Sequence, residues 1–207
     1  DLRDRGVVQN AQGSWLCAST GVAGGISQYR LTGGAVAPIR EDFHWHQRST
    51  LGTGEFTLSE RDGTATLLQQ SSTGGALLSY EVAASGELGS QRLQDLPGND
   101  ITGLGALRGT RTEAGQDLIY GLSATGQVTG WQLDQAAAPA TEVAQSGAGS
   151  AFHLPQAVTL ETSSDGAFLF VADRAVQGVH SYRIDGRSGD LTAADQFGAA
   201  EGLPVAE

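Results

Sequence analysis

Four aromatic residues decide how this chain must be read: Tyr29, Tyr80, Trp131 and Tyr182 follow one another at intervals of 51 residues. Their neighbours keep the same register. Three residues before each stand Ile26, Leu77, Val128 and Val179, and two after stand Leu31, Val82, Leu133 and Ile184. Thirteen before stand Leu16, Leu67, Leu118 and Leu169. One period shared by several columns means four copies of one structural unit, with approximate bounds 2–52, 53–103, 104–154 and 155–205.

The fourth copy shows what the unit is. Short apolar runs at 155–160, 167–172 and 179–184, and a weaker one at 191–197, are separated by turn residues such as Ser164-Asp165-Gly166 and Asp185-Gly186. Runs of this length between Asp-Gly turns are strands joined by hairpins. In the third run Val179, Ser181 and Arg183 alternate with His180, Tyr182 and Ile184, the period of a strand. No window carries the 3.6-residue apolar period of a helix. Four antiparallel strands per repeat, at a period near 50, define an all-β chain of the β-propeller type, with four four-stranded blades in view. The 30 glycines follow from this. Gly13, Gly63, Gly115 and Gly166 fall between the first and second strands, and Gly25, Gly75 and Gly178 precede the third.

The fourth copy, from Ser164 through Asp173-Arg174 to Val179-His180-Ser181-Tyr182-Arg183-Ile184-Asp185 and Gly189-Asp190-Leu191-Thr192, resembles a blade of the lactonase-like seven-bladed propellers, the group of 6-phosphogluconolactonase. Ala23 to Leu31 carries the same likeness less fully. The motif also resembles the N-terminal propeller of secreted, RTX-type calcium-binding proteins of alphaproteobacteria, whose nonapeptide repeats are absent from this sequence. The resemblance implies seven blades where four can be counted. Three arrangements fit, in order of preference. The chain is part of a longer propeller, two chains pair with four blades each, or four blades close alone. Leu203-Pro204 echoes Leu154-Pro155, as the start of a further blade would.

Composition narrows the function classes. Asp and Glu number 23 against 12 Lys and Arg, for a net charge of −11, and every basic residue is Arg. Such a chain lacks the cationic surface that phosphate backbones and anionic bilayers require, so nucleic-acid partners are excluded. No apolar stretch approaches the ~18 residues of a membrane span, so no membrane insertion is expected. The lone Cys17 allows neither an internal disulfide nor a paired-thiol zinc site, and its repeat column is apolar, which makes it a buried, inert thiol.

Two groups of residues could carry chemistry. Asp42, His44 and His46 alternate, so all three would project from one face of a strand and could share a divalent cation such as zinc. The plainer reading is a polar outer face whose reverse packs Phe43 and Trp45. His153, Asp173 and Arg174 stand next to connections that an antiparallel blade gathers at one end, where propeller channels open. An imidazole with a carboxylate could act as a general base on a lactone, and Arg174 could hold an anionic sugar. The plainer reading makes them turn and loop residues. Asp185, Ser188 and Asp190 offer about three oxygens, too few for calcium, which takes six to eight, and read as a turn. His180 reads as an ordinary packed residue.

The expectation is a non-catalytic binding or assembly scaffold for a glycan or protein ligand, within a secreted bacterial protein. The alternative is a lactonase-type hydrolase acting at the channel mouth with His153, Asp173 and Arg174. No cofactor is required by the sequence, though calcium or zinc is compatible with it.

Overall fold

A computed structural model describes residues 2–10, 13–20, 26–40, 56–61, 64–70, 76–95, 104–133, 141–145 and 153–198. They form sixteen strands and no helix. The strands make four separate antiparallel sheets, each with its strands paired in chain order. The first holds β1 (Leu2–Asn10), β2 (Gly13–Thr20), β3 (Ile26–Thr32) and β4 (Ala35–Arg40). The second holds β5 (Phe56–Arg61), β6 (Thr64–Gln70), β7 (Ala76–Val82) and β8 (Leu88–Asp95). The third holds β9 (Leu104–Arg111), β10 (Asp117–Ser123), β11 (Val128–Gln132) and β12 (Thr141–Gln145). The fourth holds β13 (Ala157–Thr162), β14 (Phe168–Asp173), β15 (Gly178–Ile184) and β16 (Leu191–Phe197). The chain divides into two compact units, Asp1–Asp95 and Leu96–Glu207, with two sheets in each.

Register shows how a sheet packs on the next. Leu16 lies opposite Tyr29, Leu67 opposite Tyr80 and Leu169 opposite Tyr182. These pairs mark face A of their sheets. Trp15, Cys17 and Gln28 of the first sheet, and Phe168 and Phe170 of the fourth, lie on the reverse, face B. The third sheet departs from the repeat. Trp131 lies opposite Ile119, and Leu118 opposite Gln132. Leu118 therefore stands on face B, and the column expected from the 51-residue spacing is broken there. Between equivalent pairs, Leu122↔Val128 and Ala172↔Val179, the β10–β11 connection is one residue shorter than the β14–β15 connection. A slip of one residue moves every side chain of a strand to the other face.

With the slip accounted for, both units share one packing rule: face B of a sheet covers face A of the next. In the first unit Cys17 and Ile26 pack with Leu67, Leu78, Tyr80 and Val82. In the second, Leu118, Tyr120, Leu122 and Val128 pack with Leu160, Leu169, Val171 and Tyr182. A polar link accompanies each. Gln28 of face B donates to the carbonyl of Gly86 and accepts from the Leu88 N–H at 3.1 Å. Tyr120 of face B donates its hydroxyl to the carbonyl of Gly189 at 2.7 Å. Gly86 and Gly189 occupy the same place, in the turn between third and fourth strands, and both have positive φ (86° and 76°).

Candidate functional site

The fourth sheet places the sequence-derived candidates. Ala157 at the start of β13 pairs with Asp173 at the end of β14, and the Arg174 N–H donates to the Gln156 carbonyl at 3.1 Å. The connection entering β13 and the β14–β15 turn therefore share one end of the sheet. His153 stands in that connection and bridges Gln127, and the following Leu154 N–H donates to the Gly126 carbonyl at 3.0 Å. His153 thus lies against the β10–β11 turn of the third sheet. Expected neighbours at one end are brought to one end.

The side-chain partnership differs from the expected one. No hydrogen bond or ion pair joins His153 to Asp173 among the described residues; the imidazole that Asp173 engages is His180. Asp173 continues the face A column of Leu169 and Val171, where an apolar residue would be ordinary. Asp173 pairs with Gly178, so His180, two residues on, sits diagonally across on the same face. His180 Nε2 meets Asp173 Oδ2 at 3.2 Å, and the other carboxylate oxygen accepts the Ala175 N–H at 2.9 Å. Both oxygens of this buried carboxylate are engaged, one in closing the turn and one in holding the imidazole. The His180 ring also stacks on Tyr182 (centroids 6.5 Å apart), and burial, with the Asp173 charge nearby, pushes the Tyr182 phenol up to about 12. The sequence signal for this pair is an Asp ending an apolar alternation, followed across a short turn by a His in phase.

His180 also borders a hollow of ≈ 460 Å³ between β15 and β16, together with Ser181, Tyr182, Asp195 and Gln196. Arg174 is exposed in the turn beside Asp173. An oriented imidazole next to such a hollow can in principle move a proton.

Other candidates resolve differently. Asp42, His44 and His46 lie outside the described residues. Among the described residues no group of three or more His, Cys, Asp or Glu is arranged to hold a metal ion. Asp185 closes its own turn, accepting from the N–H groups of Arg187 (2.9 Å) and Ser188 (2.7 Å) and from the Ser188 hydroxyl (3.1 Å). Those donors hold its carboxyl below the usual carboxylate range. Cys17 is buried on face B, and desolvation pushes its thiol up to about 11 against the opposing effect of the Gln28 amide.

No protein-family model and no curated protein matches the chain. Solved structures match it in fold. A 6-phosphogluconolactonase-like protein of Bacteroides fragilis matches with a TM-score of 0.64 at 16% identity, over 95% of this chain and 55% of its own. The periplasmic gluconolactonase of Pseudomonas aeruginosa matches with 0.57 at 16% identity, over 92% and 52%. A GH43_1 enzyme of Xanthomonas citri, solved with xylose, matches with 0.59 at 12% identity, over 94% and 73%. The chain spans little more than half the length of the two lactonase-like structures. At such identities the likeness is one of fold, and it identifies an all-β chain of four-stranded antiparallel sheets as β-propeller in type.

Proposed function

We propose that the chain is a run of propeller blades that serves as a non-catalytic recognition scaffold for a carbohydrate or protein ligand. The observation that carries this reading is the use made of the Asp173–His180 pair. Both carboxylate oxygens are consumed within one hairpin, and the imidazole is wedged between that carboxylate and Tyr182. The pair ties the β14–β15 turn to β15 through Nε2 of the imidazole alone, a link that serves the fold without calling on the other ring nitrogen. Under this reading the chain works outside the cytoplasm, as part of a larger secreted protein, in line with its likeness to a periplasmic gluconolactonase. The seven-bladed complement and the calcium-binding secreted context rest on the blade motif alone. The test is a glycan array followed by calorimetry on any hit. Saturable binding of a defined glycan, kept in a His180→Gln variant that still folds, supports the scaffold; loss of that binding with the fold intact would assign the pair to the ligand site.

A second reading is a lactonase-type hydrolase. It is favoured by the lactonase-like structures among the fold neighbours and by the hollow beside His180. Acid release from 6-phosphogluconolactone above the spontaneous rate, lost in His180→Gln, supports it.

A further inference from the structure

The hollow between β15 and β16 has a local cause in strand register. Ser181 pairs with Asp195 and Tyr182 with Ala193, so Ala194 has no partner and bulges from β16. The first and third sheets bulge at the same point, immediately before the repeat aromatic. There Gln28 pairs with Arg40 and Tyr29 with Pro38, and Gly130 pairs with Ala144 and Trp131 with Glu142. The residue passed over is Ile39 in the first sheet, Val143 in the third and Ala194 in the fourth. Of these three sheets the fourth therefore has the least bulk at its bulge, and a hollow of ≈ 460 Å³ opens beside it. Ala193 through Gln196 are exposed, so the hollow is reached from solvent. His180 and Tyr182 set two rings, inclined by 25°, along its wall. The Asp173 carboxylate accepts at Nε2, which places the proton of the neutral imidazole there and leaves a lone pair on Nδ1. Nδ1 has no hydrogen-bond partner among the described residues. The Ser181 hydroxyl is already engaged by the Asp195 carbonyl at 3.2 Å, and the Asp195 side chain adds a carboxylate to the lining, which holds no Arg.

We propose that this hollow is a binding site for a small planar molecule that offers an N–H donor and carries no negative charge, a heteroaromatic amine in class. Its volume falls within the range of about 300–1,000 Å³ usual for small-molecule sites. Ring walls and the methyl groups of Ala193 and Ala194 suit a flat, apolar body. The Nδ1 lone pair, held in place by the Asp173 contact at the other ring nitrogen, calls for a donor. Asp195, with no Arg beside the hollow, opposes an anion. The site goes beyond the scaffold reading and does not depend on it, because a glycan or protein held elsewhere on the blades leaves this hollow open.

The test is a titration of the 207-residue chain with indole at about pH 8, above the range in which an ordinary imidazole titrates, read at the ring nitrogens of His180 by nitrogen-15 NMR. Benzofuran, which has the same shape without the donor, and indole-3-carboxylate, which adds a negative charge, are the comparison probes. Ala194→Val, which gives the fourth sheet the residue that the third carries at its bulge, is the variant; Ala194 is exposed, so the longer side chain does not disturb folding. The free protein is expected to carry the proton on Nε2 and none on Nδ1. Indole is expected to bind saturably and to move the Nδ1 signal, with benzofuran weaker by about fivefold or more for want of one hydrogen bond. Indole-3-carboxylate is expected to bind more weakly than indole, and Ala194→Val to lose the binding while keeping the Asp173–His180 contact. A His180 signal that indole leaves unmoved up to its solubility limit would overturn the inference. So would a proton on Nδ1, benzofuran bound as tightly as indole, or an Ala194→Val variant that binds like the wild type. These outcomes are independent of whether any glycan binds.

Discussion

The Tyr120 hydroxyl donates to the carbonyl of Gly189 at 2.7 Å, and so ties face B of the third sheet to the turn between β15 and β16 of the fourth. Gln28 and Gly86 make the equivalent link in the first unit with a different side chain. Chemistry differs while the acceptor, a positive-φ glycine carbonyl, is kept. Removing the donor leaves that acceptor without its partner in a buried place, so Tyr120→Phe is expected to cost about 1–2 kcal/mol, read from urea unfolding.

Alkaline pH should weaken the second unit. Burial raises the Tyr120 phenol above its ordinary value of 10.0, and it raises Tyr182 to about 12. Each folded-state pKa lies above the unfolded one, so the stabilisation is complete below pH 10 and is lost as pH climbs from there through the folded values. The unfolding midpoint is expected to fall steeply above pH 10, and less steeply in Tyr182→Phe. An unchanged slope in that variant would refute the assignment.

Glycine substitutions separate turn strain from crowding. A methyl on Gly86 would fall inside the Trp15 indole at a φ of +86°, whereas Gly33, at +56°, has open space around it. Gly86→Ala is expected to cost about 3–4 kcal/mol, from overpacking added to a left-handed backbone, and Gly33→Ala about 1 kcal/mol from the backbone alone. Thermal midpoints of the two variants give the comparison.

Cys17 is expected to stay unmodified by a thiol-specific reagent at pH 8 in the native protein and to react at once in denaturant. It is buried, and its thiol is held near 11. Its labelling rate then reports opening of the packed face between the first and second sheets. Rapid labelling of the native chain would contradict that packing.

The repeat made the sheet architecture legible, because a period of 51 in apolar and aromatic positions leaves few alternatives to stacked four-stranded sheets. Strand alternation also put His180 in phase with Tyr182. The slip in the third sheet was not legible. Fixed spacing aligns Leu118 with Leu169, and only the pairing of Ile119 with Trp131 reveals that a turn one residue shorter has exchanged the faces. For the same reason His153 looked like the partner of Asp173. It is near in the fold's topology, but the register across the β14–β15 turn, with Asp173 opposite Gly178, delivers His180 to the carboxylate instead.

The central claim is that the Asp173–His180 pair is a structural clamp within a recognition scaffold. It is tested most directly by measuring gluconolactone hydrolysis and urea midpoints side by side for the wild type and His180→Gln. The account predicts that both proteins hydrolyse the lactone no faster than buffer, while the variant loses about 1–2 kcal/mol of stability. A wild-type rate well above buffer that falls a hundredfold or more in the variant, with the midpoint unchanged, would contradict it.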